Sequence, residues 1–118
     1  MNHRIISIVI FALLAVSCKH EPLLPPMPGD VSYAKDIAPV MKSSCAYSGC
    51  HVLSNNVNFP LEKYSDLINY GSIVPFKPLE SDLYDVIARG YMPLGTAKLS
   101  LADQKLVYDW ILKGALDN

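Results

Sequence analysis

Four residues separate Cys45 from Cys50, and His51 follows the second thiol directly, in the string Cys45-Ala46-Tyr47-Ser48-Gly49-Cys50-His51. Three chemistries suit two thiols beside an imidazole. The thiols can add to the two vinyl groups of a porphyrin, which places the imidazole under the iron as an axial ligand. They can close on each other as a disulfide, a common device in exported proteins. They can also contribute to a zinc site, which calls for four ligands. The folded part supplies only this one cluster, because His3 and His20 lie in the N-terminal region. The common spacing for haem attachment is C-x-x-C-H. The vinyl groups have a fixed separation, so the longer spacing requires an outward bulge. Gly49 tolerates the backbone angles of a bulge, and Ser48 is a good turn residue.

A second soft donor lies downstream in Gly90-Tyr91-Met92-Pro93. A thioether on a loop stiffened by proline can reach the opposite face of an iron, and sulfur ligation there raises the reduction potential. Core packing is the competing fate of a methionine. Met41 lies one helical turn before Cys45, a poor place for a distal ligand, and Met27 lies in a proline-rich segment.

The elements that must position these residues read as helices, with no convincing strand. Residues 33–44 form the first, with Ile37, Val40, Met41 and Ser44 on one face, Ser32 as cap and Pro39 making the early turn irregular. Residues 60–70 form the second, with Pro60 at its first position, Gly71 at its end and a stripe of Leu61, Tyr64, Leu67 and Ile68. Residues 79–89 form the third, between Pro78 and Gly90, with Leu83, Val86 and Ile87 facing inward. Residues 101–113 form the fourth, capped by Ser100 with Asp103 three residues on, ended by Gly114, and apolar along Leu106, Val107, Trp110 and Ile111. Such a small helical domain has a thin core. The long stretches 45–59 and 91–99 ask for a reason, and a bound group at the centre supplies one.

Residues 1–17 read as an export signal: His3 and Arg4 open it, and an apolar run from Ile5 to Val16 follows. Leu14-Ala15-Val16-Ser17-Cys18 resembles a bacterial lipobox, which implies a lipid on Cys18; an ordinary cleaved signal peptide is the alternative. Pro22, Pro25, Pro26 and Pro28 make residues 18–29 an extended tether. Residues 30–118 remain as the folded domain. The expected location is the periplasm or the outer membrane, with the acyl chains supplying the membrane affinity. Ten Lys+Arg against eleven Asp+Glu exclude a strongly basic nucleic-acid binder.

From Ser32 to the C-terminus the chain resembles the class I-type c-type cytochrome domains carried by bacterial lipoproteins. The resemblance rests on Tyr33-Ala34-Lys35-Asp36-Ile37-Ala38-Pro39-Val40, the string from Cys45 to His51, Tyr91-Met92-Pro93, Leu99-Ser100 and Trp110-Ile111-Leu112-Lys113-Gly114-Ala115. It implies an all-α domain wrapped around one covalent haem c, with the first and last helices crossing and Trp110 at their contact. Cys45 and Cys50 would carry the thioethers, with His51 the proximal and Met92 the distal iron ligand. The carbonyl of Pro60 would receive the free ring nitrogen of His51. The implied function is electron transfer between redox protein partners at or near a membrane, not catalysis, with Tyr47, Tyr91 and Lys98 rimming the exposed haem edge. Two other readings stay open: a haem enzyme or gas sensor with the sixth iron position vacant, and a haem-free binding module stapled by Cys45 and Cys50.

Overall fold

Pro39 has no N–H to offer the carbonyl of Lys35, and its ring crowds the preceding turn. The chain answers by opening with a π turn at Tyr33–Ile37, which runs directly into helix α1, Ala38–Ser44. Ser32 caps this entry: its hydroxyl accepts from the Lys35 N–H, while the Asp36 carboxylate accepts from the Ser32 N–H at 2.8 Å. The structure is a computed structural model that describes residues 30–47, 49–52 and 59–118. The export signal, the lipid site at Cys18, the tether and the turn role of Ser48 lie outside the described residues.

Helix α2 spans Tyr64–Tyr70, so Pro60 is not its first residue. The Leu61 N–H donates to the His51 carbonyl at 3.0 Å, which holds the chain extended past Pro60. The helix starts only where Asp66 accepts the N–H groups of Glu62 and Lys63. The expected third helix is likewise divided, into a single 3₁₀ turn at Pro78–Glu80 and helix α3, Asp82–Ala88. Ser81 divides them. Its buried hydroxyl donates to the Lys77 carbonyl and accepts from the Val74 N–H, both at 2.9 Å. That hydroxyl is spent on the preceding loop and is not available to cap α3. Helix α4, Leu101–Leu112, starts at Ser100, whose hydroxyl accepts from the Asp103 N–H.

The four helices pack with no strand among the described residues. The core gathers where the N-terminal π turn meets α4. Trp110 is 1% exposed, with the rings of Tyr33 and Tyr64 at 5.8 and 6.3 Å. Its indole N–H donates to the Leu116 carbonyl, and the Tyr64 hydroxyl donates to the Ala115 carbonyl. The C-terminal residue closes the same corner. Asn118 accepts from Ser32, Tyr33 and Ala34, so the two ends of the described domain are hydrogen-bonded together. Ile37, Met41, Leu67, Ile87, Val107 and Ile111 complete the buried centre. Ile68, expected on the inner stripe of α2, is exposed, because a seven-residue helix buries only the side marked by Leu67.

Trp110→Ala should cost about 3–5 kcal/mol of unfolding free energy, a large share of the total for so small a domain. Trp110→Phe, which keeps a ring but loses the bond to Leu116, should cost about 1–3 kcal/mol. Urea denaturation followed by circular dichroism measures both; equal, small losses would show that the corner is not the main source of stability.

Candidate functional site

Helix α1 delivers Cys45 to the site. The Cys45 N–H closes the last turn on the Met41 carbonyl at 2.8 Å. From there the chain doubles back: the Cys50 N–H donates to the Tyr47 carbonyl at 2.9 Å, and the His51 N–H donates to the Cys45 carbonyl at 3.0 Å. Gly49 adopts φ +91°, which glycine tolerates, with open space where a side chain would point. The result brings Cys45, Cys50 and His51 side by side despite the four intervening residues.

His51 is held at two points. Its Nδ1 lies 2.8 Å from the Phe59 carbonyl, and its own carbonyl accepts from the Leu61 N–H at 3.0 Å. A carbonyl can only accept, so Nδ1 carries a proton and Nε2 is the ring nitrogen left for another partner. The acceptor expected at Pro60 is therefore the carbonyl one residue earlier. Leu61 is committed to His51, and the peptide that faces the imidazole is the one joining Phe59 to Pro60. The Phe59 ring adds a lateral contact, with its centroid 4.9 Å from the imidazole, and Tyr70 stacks on Phe59 at 5.4 Å.

These groups face a cavity of about 650 Å³. Cys45, Cys50 and His51 line it from the α1 turn, and Met92, Pro93 and Leu94 line it from the loop after α3. Leu61, Leu83, Val86 and Ile87 supply an apolar lining, while Ser72 and Asp82 add polar groups. Phe59, Tyr70 and Leu94 are substantially exposed apolar residues of this lining. Met92 is half-buried. The N–H groups of Tyr91 and Met92 both donate to the Val86 carbonyl, at 2.9 and 3.1 Å, after Gly90 has turned the chain at φ +73°. The four candidate donors, separated by up to 47 positions in sequence, thus share one cavity. Met41 is buried in the core and is not part of this lining.

The three residues expected at the rim do not line the main cavity. Tyr47 and Lys98 border a neighbouring cleft of about 420 Å³ that meets the main cavity at Ser44 and Pro93. Tyr91 is exposed and lines neither. Phe59 and Tyr70 are the site residues that motif reading passed over. Their one sequence signal is the aromatic ring of Phe59 closing the polar run Ser54-Asn55-Asn56-Val57-Asn58 just before a proline.

The two cysteines are both thiols, and they sit in unlike surroundings. Burial, reinforced by the nearby Cys50, pushes the Cys45 thiol up to about 11. Cys50 is the more exposed. In the unmodified chain, iodoacetamide should therefore modify Cys50 well ahead of Cys45, with Cys45 accelerating only as the pH approaches its raised value. Peptide mass spectrometry reads this order, and equal rates would contradict the burial of Cys45.

No family model matches this chain, and neither a curated protein nor a solved structure matches it, so the site rests on its own geometry.

Proposed function

We propose that residues 30–118 form a single-haem c-type cytochrome domain that carries electrons between protein partners. The observation that carries this reading is the convergence of two thiols, one imidazole and one thioether on a single, mainly apolar cavity. Its volume falls within the roughly 300–1,000 Å³ of pockets that hold small organic ligands. The donor set fits a covalently attached haem: Cys45 and Cys50 for the thioethers, His51 for the proximal bond and Met92 for the distal bond. When bound, the haem supplies one-electron chemistry by cycling its iron between the ferrous and ferric states.

The chain's own contribution is to hold those donors. The Phe59 carbonyl fixes the ring tautomer and makes His51 a better donor, as outer partners of metal-bound histidines do. Leu83, Val86 and Ile87 exclude water, which lowers the local dielectric and favours the less charged redox state. Phe59, Tyr70 and Leu94 give the cavity an apolar border of the modest kind through which redox proteins meet briefly. The lipid proposed on Cys18, with the tether of residues 18–29, would keep the domain at the membrane that houses such partners.

Protein from a host able to attach haem should carry one porphyrin by mass and show the sharp visible bands of a low-spin, six-coordinate iron. A colourless product of unchanged mass would overturn the reading and leave the disulfide-stapled module. A high-spin iron that binds carbon monoxide rapidly would favour the open-site enzyme or sensor.

Met92→Ala should lower the reduction potential and open the iron to carbon monoxide; an unaltered spectrum would assign the distal ligand elsewhere. Cys18→Ser should move the protein from the membrane fraction to the soluble fraction, and continued sedimentation with membranes would exclude lipidation.

A further inference from the structure

Phe76 is 66% exposed, yet its backbone sits in the left-handed region at φ +67°. That region is unfavourable for a bulky side chain, and such a conformation persists only where its surroundings impose it. Two contacts impose it here. The Phe76 N–H donates to the Ile111 carbonyl at 2.8 Å. The ring lies against Gly114, where a Cβ would come within 2.8 Å of it, so glycine alone leaves room. The fold thus holds an aromatic ring on its surface at the C-terminal end of α4. Leu112 and Leu116, two positions to either side of Gly114, are exposed as well.

The polypeptide enters the domain at the same place. Asp30, the first described residue, is paired at 2.8 Å with Lys113, the neighbour of Gly114. Just before Asp30 the sequence reads Pro22-Leu23-Leu24-Pro25-Pro26-Met27-Pro28-Gly29, with three large apolar side chains and no charge. Prolines preset an extended polyproline helix, so laying such a segment on a surface costs little further entropy. Aromatic surfaces are what proline-rich segments recognise. At about 3.1 Å per residue, Met27 lies about 9 Å and Leu23 about 22 Å from Asp30, within reach of Phe76. Attachment in the same chain adds a high effective concentration.

We propose that residues 22–28 dock on the apolar surface formed by Phe76, Leu112 and Leu116. The free part of the tether is then residues 18–21, and the domain is held in a preferred orientation close to its anchor. Neither Phe76, Leu112 nor Leu116 lines the main cavity, so the docking does not depend on the haem reading.

The test uses the full chain, with or without haem. Nuclear Overhauser contacts should join the Phe76 ring to the methyl groups of Leu24 or Met27. Phe76→Asn removes the ring, and asparagine tolerates the left-handed backbone. In this variant a broad-specificity protease should cut at Leu23–Leu24 roughly threefold to tenfold faster, because cleavage follows the undocked population. A second variant changes only the tether, by Leu23→Ser, Leu24→Ser and Met27→Ser together, and leaves the described domain untouched. It should increase the broadening of the Phe76 ring signals by a soluble paramagnetic probe.

Absence of the Overhauser contacts in the wild-type chain, or equal broadening in the tether variant, would overturn the docking. Contacts found only between labelled and unlabelled chains would assign this surface to a second copy and overturn it too. So would a Phe76 ring that is shielded only when phospholipid vesicles are added, which would assign the surface to the membrane.

Discussion

The hydrogen bond from His51 Nδ1 to the Phe59 carbonyl organises the rest of the site. It decides which ring nitrogen holds a proton for the carbonyl, and so which one is left for a ligand. It also closes the stretch from His51 to Leu61, because the Leu61 N–H returns to the His51 carbonyl. An imidazole on a long loop would otherwise sample many rotamers. Here its ring is fixed by one polar contact, its backbone by another, and its flank by the Phe59 ring. Leu61 enters the core as a consequence, and α2 begins three residues beyond it.

The domain has two unlike halves. Around Trp110 the packing is dense: three aromatic rings meet, each main polar atom of Trp110 and Tyr64 has a carbonyl partner, and Asn118 binds the N-terminal turn. On the other side, Leu83, Val86 and Ile87 of α3 border a cavity. A chain this short buries too little apolar surface to leave such a volume without consequence. Apolar walls gain dispersion contacts from a group that packs against them. A flat, largely apolar group with two sites for covalent attachment would supply those contacts. In that reading the firm corner keeps the fold in one arrangement, and the cavity half becomes rigid on loading.

Much of this was legible in the sequence, for identifiable reasons. The four helices follow from apolar spacing, and the cap at Ser100 follows from its hydroxyl and the acidic residue three positions later. The burial of Ile37, Val107, Trp110 and Ile111 follows from the same spacing. The misplacements concern boundaries at which a tertiary contact competes with a local signal. Pro60 looks like a helix start, but Leu61 is claimed by His51. Leu79 looks helical, but the Ser81 hydroxyl is claimed by the loop at Val74 and Lys77. Residue spacing alone cannot report that Leu61 will be bonded to His51, or the Ser81 hydroxyl to Val74 and Lys77. The same limit hides Phe59 and Tyr70, whose part in the site depends on which carbonyl faces the imidazole.

The cysteine turn shows how an irregular motif can still deliver a regular geometry. A longer spacing would separate Cys45 from Cys50 if the chain stayed extended. It does not, because two backbone bonds, Cys50 to Tyr47 and His51 to Cys45, take up the excess as a closed turn with Gly49 at its apex. Gly49 stays on the main cavity. Tyr47 lies on the smaller cleft, which also takes in Pro93 of the loop that carries Met92. The cost of the added backbone freedom, on the order of 1–2 kcal/mol per residue fixed, is offset only if the turn is tied at more than one point. The two backbone bonds supply those points.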